Sequence, residues 1–181
     1  MIIDGESPSD IIFTSLYDDS IGGDTTNDAT STSPLAGQCS GIRVSSSGFL
    51  QARGFTMRYC GYGGYGGNQA AAIIIDGAPI EIRDALLDNN YPYGIYAVNS
   101  QNISIKNARF ENHNFFAEWG SATALAVFNS SVSLANIDFI NNYLGIASDD
   151  SSTFTASIVN FINNTFTTSP SGLQFFIFHL K

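Results

Sequence analysis

With 181 residues, 44% of them apolar and 13% aromatic, the chain has enough hydrophobic surface to bury a core, which excludes an intrinsically disordered segment. Its 16 acidic and 7 basic residues give a net charge of −9, so the counterion release that draws proteins onto nucleic acid has no source and no nucleic-acid partner is expected. Charged residues are only 13% of the chain while Gly, Ser, Thr and Asn abound, a balance that favours an all-β chain of short strands and tight turns.

From the amino terminus, MIIDGESPSD has neither the basic nor the apolar region of a signal peptide, and no run approaches the roughly eighteen apolar residues of a membrane span. No membrane insertion is expected, and no export signal is read in these residues. Residues 1–37 read as a partial coil and an acidic loop. In that loop Asp18, Asp19, Asp24 and Asp28 set oxygen ligands close together, as a hard cation such as Ca²⁺ requires; the alternative is a solvated acidic loop without an ion. No other cofactor is expected. Cys39 and Cys60 lack the CxxC or Cys/His spacing that zinc needs.

From Leu50 onward the chain repeats. Five segments align without gaps: LQARGFTMRYC from Leu50, IEIRDALLDNN from Ile80, ISIKNARFENH from Ile103, VSLANIDFINN from Val132 and FTASIVNFINN from Phe154. The first, third, sixth and eighth positions are apolar in each, from Leu50, Ala52, Phe55 and Met57 to Phe154, Ala156, Val159 and Phe161. Two alternations separated by a one-residue phase shift predict two short strands joined by a bend.

Eight residues before each segment stands another short pair: Ile42 with Val44, Ala72 with Ile74, Ile95 with Ala97, Ala124 with Ala126, and Ile146 with Ser148. Each coil therefore reads as three short strands. One coil cannot bury its inner face alone, but stacked coils make a continuous core, so residues 38–172 read as about five or six regular coils. Residues 173–181, with the apolar run Phe175, Phe176, Ile177 and Phe178, read as an incomplete coil of a chain truncated at both ends.

Asn89, Asn112, Asn141 and Asn163 fall at the tenth position of successive segments, with Asn90, Asn142 and Asn164 at the eleventh, where His113 interrupts the column. The tenth-position residues are predicted to form an asparagine ladder, their amides bonding along the stack and satisfying backbone groups at a left-handed bend; simple turn preference is the alternative. Cys39 and Cys60 lie nearly one coil apart, so they read as vertical neighbours that form either a disulfide or two buried thiols.

Two insertions, GYGGYGGNQ after Cys60 and NFFAEWGSA after His113, leave from one angular position. Together with YPY at residues 91–93 they place Tyr62, Tyr65, Tyr91, Tyr93, Phe115, Phe116 and Trp119 on one edge, beside Glu118. Flat aromatics beside polar acceptors suit stacking on sugar rings or packing on a partner protein; the alternative is that they fold down over neighbouring coils.

The repeat resembles right-handed parallel β-helix proteins of the pectin-lyase-like fold. More narrowly, SDIIFTSLYDDSIGGDTTND from Ser9 and SGIRVSSSGFLQARGFTMRY from Ser40 are similar to the front portion of bacterial surface proteins of this type, with Asp10 in place of a proline and Cys39 in place of a tryptophan. In such relatives the acidic loop reads Asp-x-Asn-x-Asp-Gly, whereas Thr26 and Ala29 stand at two of those positions here. The resemblance implies an internal fragment flanked by further coils of its parent chain, located outside the cell or at its surface, where an oxidised cysteine pair fits.

Because that fold also hosts polysaccharide lyases and hydrolases, the paired carboxylates Asp149 and Asp150 need weighing. The Asn-Thr-Asp and Gly-His-Gly motifs that accompany such a pair in pectin-cleaving hydrolases are missing, VFNSS and NFINN standing in their places, and no catalytic residue is assigned. The expected function is an extracellular binding or structural module that contacts a polysaccharide, a surface glycan or another protein through its aromatic edge. The alternative is a fragment of a polysaccharide-active enzyme, lyase or hydrolase, whose catalytic residues lie outside this chain.

Overall fold

The computed structural model describes residues 1–29, 31–61, 70–114, 116–117 and 120–165, with the backbone alone for 116, 117, 120 and 121. The strands in chain order are β1 (Ile2–Asp4), β2 (Ile11–Phe13), β3 (Ile42–Ser45), β4 (Leu50–Arg58), β5 (Ala71–Asp76), β6 (Ile80–Asp88) and β7 (Tyr93–Val98). They continue with β8 (Ile103–Glu111), β9 (Phe116–Ala117), β10 (Gly120–Ser121), β11 (Thr123–Phe128), β12 (Ser131–Ile140), β13 (Leu144–Ser148) and β14 (Thr153–Ile162). Strands β1, β4, β6, β8, β12 and β14 pair in that order, with β2 also on β4, and β3, β5, β7, β11 and β13 form a second sheet. Every pairing in the two sheets is parallel, so each coil stacks on the next as a β-helix.

The predicted phase shift is a single left-handed residue. Each of the five long strands bends at its fifth repeat position, where Gly54, Asp84, Asn107, Asn136 and Ile158 have φ between 50 and 60°. Gly, Asp and Asn reach this region readily, whereas the β-branched Ile158 is strained there. Gly54 is also forced by contact, because a Cβ on it would sit 2.3 Å from the backbone of Gly5.

Inside, the repeat positions stack as columns: Leu50, Ile80, Ile103, Val132 and Phe154 pair in register, as do Met57, Leu87, Phe110, Phe139 and Phe161. The rings of Phe110, Phe139 and Phe161 lie 5.0 and 5.1 Å apart and nearly parallel. Truncating one such buried ring costs about 3–5 kcal/mol.

The third strand differs from expectation in two coils. Inward residues are Ile73 and Ile75 on β5 and Leu125 and Val127 on β11, paired with Ile95 and Ala97 on β7; Ile74 and Ala126 pair with Tyr96 on the outer face. Four residues separate Ile75 from Ile80 and Val127 from Val132, against five in the other coils. That one-residue difference in the turn swaps the faces of a strand counted at fixed spacing.

The asparagine ladder is likewise displaced by one residue. Asn89, Asn112, Asn141 and Asn163 occupy the second left-handed bend, with φ of 51 to 56° and side chains half-buried or exposed. Asn89 and Asn112 both donate outside the core to Asp88 Oδ1. The amides bonded along the stack belong to the next residue, which the bend turns inward: Asn90, His113 and Asn142 are buried, and Asn164 is half-buried below them. Asn90, Asn142 and Asn164 each donate to the backbone carbonyl of Met57, Phe110 and Phe139 in turn. Their oxygens accept the backbone N–H of Cys60, His113 and Asn142.

Above Cys60 the column continues covalently, for Cys39 and Cys60 pair in parallel as a disulfide with Cα atoms 4.2 Å apart. A second buried stack fills the third corner. Ser100 N–H donates to Ser130 Oγ and Ser130 N–H to Ser152 Oγ.

Candidate functional site

At the corner after the buried amide column, backbone bonds join successive coils. Tyr91 N–H donates to the Cys60 carbonyl (3.1 Å), Tyr143 N–H to that of His113 (2.8 Å) and Thr165 N–H to that of Asn142 (2.9 Å). Both insertions leave here, directly after Cys60 and His113, which occupy alternate levels of the column on either side of Asn90. Within the second insertion β9 and β10 pair antiparallel. Tyr62, Tyr65, Phe115, Glu118 and Trp119 lie outside the described residues, and Phe116 is described only as backbone of β9.

The remaining two residues of the proposed edge, Tyr91 and Tyr93, are both half-buried at the corner, on either side of Pro92. Burial pushes the Tyr93 phenol above its ordinary pKa, with Tyr96 and Tyr91 adding to the effect. The Tyr93 ring lies 5.3 Å from Tyr96, and Tyr96 lies 5.4 Å from Phe128, the rings tilted by 50 and 39°. Tyr96 and Phe128 belong to the outer face of the second sheet and extend the ring cluster beyond Tyr93. Sequence reasoning missed them because it followed only the inward positions and, on β11, placed Ala124 and Ala126 on that face; the register of β7 with β11 is what sets Tyr96 and Phe128 on the outer one. Half-buried rings with phenolic hydroxyls present apolar faces and polar rims together, the chemistry that packs on sugar rings.

The acidic loop is fastened to the solenoid through Asp18, which is 4% exposed and accepts from Arg58 Nε (2.7 Å), Thr14 and Ser20. Burial alone would raise the Asp18 pKa; hydrogen bonds from Ser20, Thr14 and Arg58 outweigh it and hold the carboxyl below its ordinary value. Asp18 is thereby committed to Arg58 and does not join the candidate cation ligands. Asp19, Asp24 and Asp28 do converge, each with a carboxylate oxygen within 4.8 Å of the others. Oδ1 of Asp19 is buried without a hydrogen-bond partner, and burial followed by the charges of Asp24, Asp28 and Asp18 raises the Asp19 pKa. Three oxygens at this spacing match the hard-donor set of a divalent cation, and Asp24 also caps the loop by accepting from Asp28 and Ala29 N–H.

Asp149 serves a turn. Its carboxylate accepts from Asn129 N–H at 3.0 Å, Ser151 Oγ at 2.9 Å and Ser152 Oγ at 2.6 Å. Burial alone would raise its pKa, but the bonds from Ser152, Asn129 and Ser151 hold it below the ordinary value. A carboxylate held ionised by three donors is poorly suited to deliver a proton.

Comparison with known proteins agrees with this architecture. A family model described as a right handed beta helix region matches residues 40–177, most of the chain, and the chain belongs to that family. It is therefore a right-handed parallel β-helix repeat protein. No curated protein and no solved structure matched it.

Proposed function

We propose that this chain is an extracellular binding or structural module of a surface or secreted β-helix protein, and that its aromatic corner contacts glycans or another surface. The observation that carries this reading is the common exit of both insertions beside Tyr91 and Tyr93, on a scaffold whose neighbouring coils are locked by buried hydrogen bonds. Binding residues concentrate on loops held by rigid frames. The insertion sequences contain Tyr62, Tyr65 and Trp119, and the rings of Tyr96 and Phe128 adjoin Tyr93.

Glycan arrays and pull-downs with surface polysaccharides test the reading, using the wild type and a Tyr65→Ala/Trp119→Ala variant. Binding weakened about tenfold or more at unchanged melting temperature is expected, since stacked aromatics contribute on the order of 1–3 kcal/mol to recognition. A wild type blank on glycans and on surface proteins removes the binding reading and leaves a spacer. Cleavage of acidic polysaccharides would instead assign the chain to an enzyme.

A further inference from the structure

His113 is the one titratable side chain in the buried column, and the polarity of the column leaves no place for a second proton on its ring. Each neighbouring amide is oriented by backbone groups. Asn90 Oδ1 accepts from Cys60 N–H (2.9 Å) and its Nδ2 donates to the Met57 carbonyl (2.9 Å). Asn142 Oδ1 accepts from His113 N–H (3.1 Å) and its Nδ2 donates to the Phe110 carbonyl (2.9 Å).

The imidazole fits between them only as the neutral Nδ1–H tautomer. Nδ1 donates to Asn142 Oδ1 at 2.9 Å, and Nε2 faces Asn90 Nδ2 at 3.5 Å. A proton on Nε2 points a donor at a donor, and turning the Asn90 amide to accept it breaks both of that amide's backbone bonds. Nor does the ring have room to swing aside: it is fully buried, and Gly94 on β7 approaches so closely that a Cβ there would sit 2.7 Å from Nε2. Around it, β8 contributes Phe110 and the backbone of Glu111, and β6 contributes Asp88, the one charged side chain among the described residues that acts on the ring.

We propose that His113 is an acid-sensitive lock in this column: as the neutral tautomer it holds the corner closed, and proton uptake opens the column at the coil from which residues 114–122 depart. Burial drives its pKa down to about 4, against the upward pull of Asn142, Asp88 and Glu111. An unfolded histidine titrates near ~6.5, so the unfolded chain takes the proton first. The stabilisation is complete above that pH, is lost as pH falls toward about 4, and loses nothing further below it. In the middle of that window the unfolding constant grows by nearly tenfold for each pH unit of acidification. The consequence, acid release of whatever the corner binds, rests on the binding reading above, whereas the lock itself is measured without a ligand.

Urea unfolding of the wild type and of His113→Asn between about pH 7.5 and 4.5 tests it. Asparagine is the residue the column itself repeats, and the carboxylates and His179 are common to both proteins and cancel in the ratio. The ratio of wild-type to variant unfolding constants is expected to rise roughly fortyfold from pH 6.5 to 4.5; a ratio independent of pH overturns the lock. NMR titration of the wild-type imidazoles decides the matter should the variant not fold. A neutral Nδ1–H tautomer of His113 at about pH 5 supports the lock, and a His113 ring titrating near ~6.5 in the folded protein overturns it. A blank glycan array bears on the binding reading and leaves both measurements untouched.

Discussion

Asn141 and Asn142 are neighbours in the chain and opposites in the fold. Asn141 takes the left-handed bend with φ 52° and an exposed side chain. Asn142 is 1% exposed, and its amide bonds the backbone of Phe110 and His113, the His113 ring and the Asn164 amide. The same division runs through 89 and 90, 112 and 113, and 163 and 164. Repetition of a residue type marks where the chain turns, while burial decides which copy of it carries the load of unmet hydrogen bonds.

The largest expected effect follows directly. Asn142→Ala leaves a buried N–H and a buried carbonyl without partners at about 1–3 kcal/mol each, so it should destabilise by about 4 kcal/mol in urea unfolding. Asn141→Ala should cost about 1 kcal/mol, the penalty of a left-handed alanine, and Asn141→Gly less than that. Equal costs at the two positions would break the comparison.

The covalent extension of the inner column comes next. Replacing Cys39 and Cys60 together by serine opens a loop of about twenty residues and should cost about 3 kcal/mol in the same assay, whereas a loss near zero would make the bond incidental to the column. On the outer side the expected sign reverses. Ile158→Asn places at the last bend the residue type found there in two earlier coils, and should stabilise by about 1 kcal/mol. A destabilised variant would mean that Ile158 packs on something its 62% exposure does not reveal.

The smallest effect belongs to the acidic loop. Without divalent cations Asp19→Asn should raise the melting temperature slightly by relieving repulsion from Asp24 and Asp28, and with Ca²⁺ added it should lower it by removing a ligand. A response that ignores Ca²⁺ would leave a solvated loop.

Much of this was legible in the sequence. The inward columns at the first, third, sixth and eighth positions could be read because alternation within the two arms is strict, and the phase shift between them is the physical trace of one left-handed residue. Three features were not legible. The faces of β5 and β11 depend on a turn shorter by one residue, which alternation in a strand of two inward residues is too brief to reveal. The inner amide column is shadowed by its neighbour, because Asn89, Asn112, Asn141 and Asn163 form the more regular series while His113 breaks the buried one. Ser100, Ser130 and Ser152 pass for surface residues in a serine-rich chain until their burial is seen. At the aromatic corner, composition and spacing pointed to Tyr91 and Tyr93, while Tyr96 and Phe128 needed the sheet register.

Amide hydrogen exchange tests the inner column as the spine of the molecule most directly. The N–H groups of Cys60, His113 and Asn142 donate to side-chain oxygens at a corner, outside any strand ladder. They are expected to exchange as slowly as the core strand amides of Ile82 and Ile105. Exchange as fast as that of an exposed turn would contradict a column that holds the coils together.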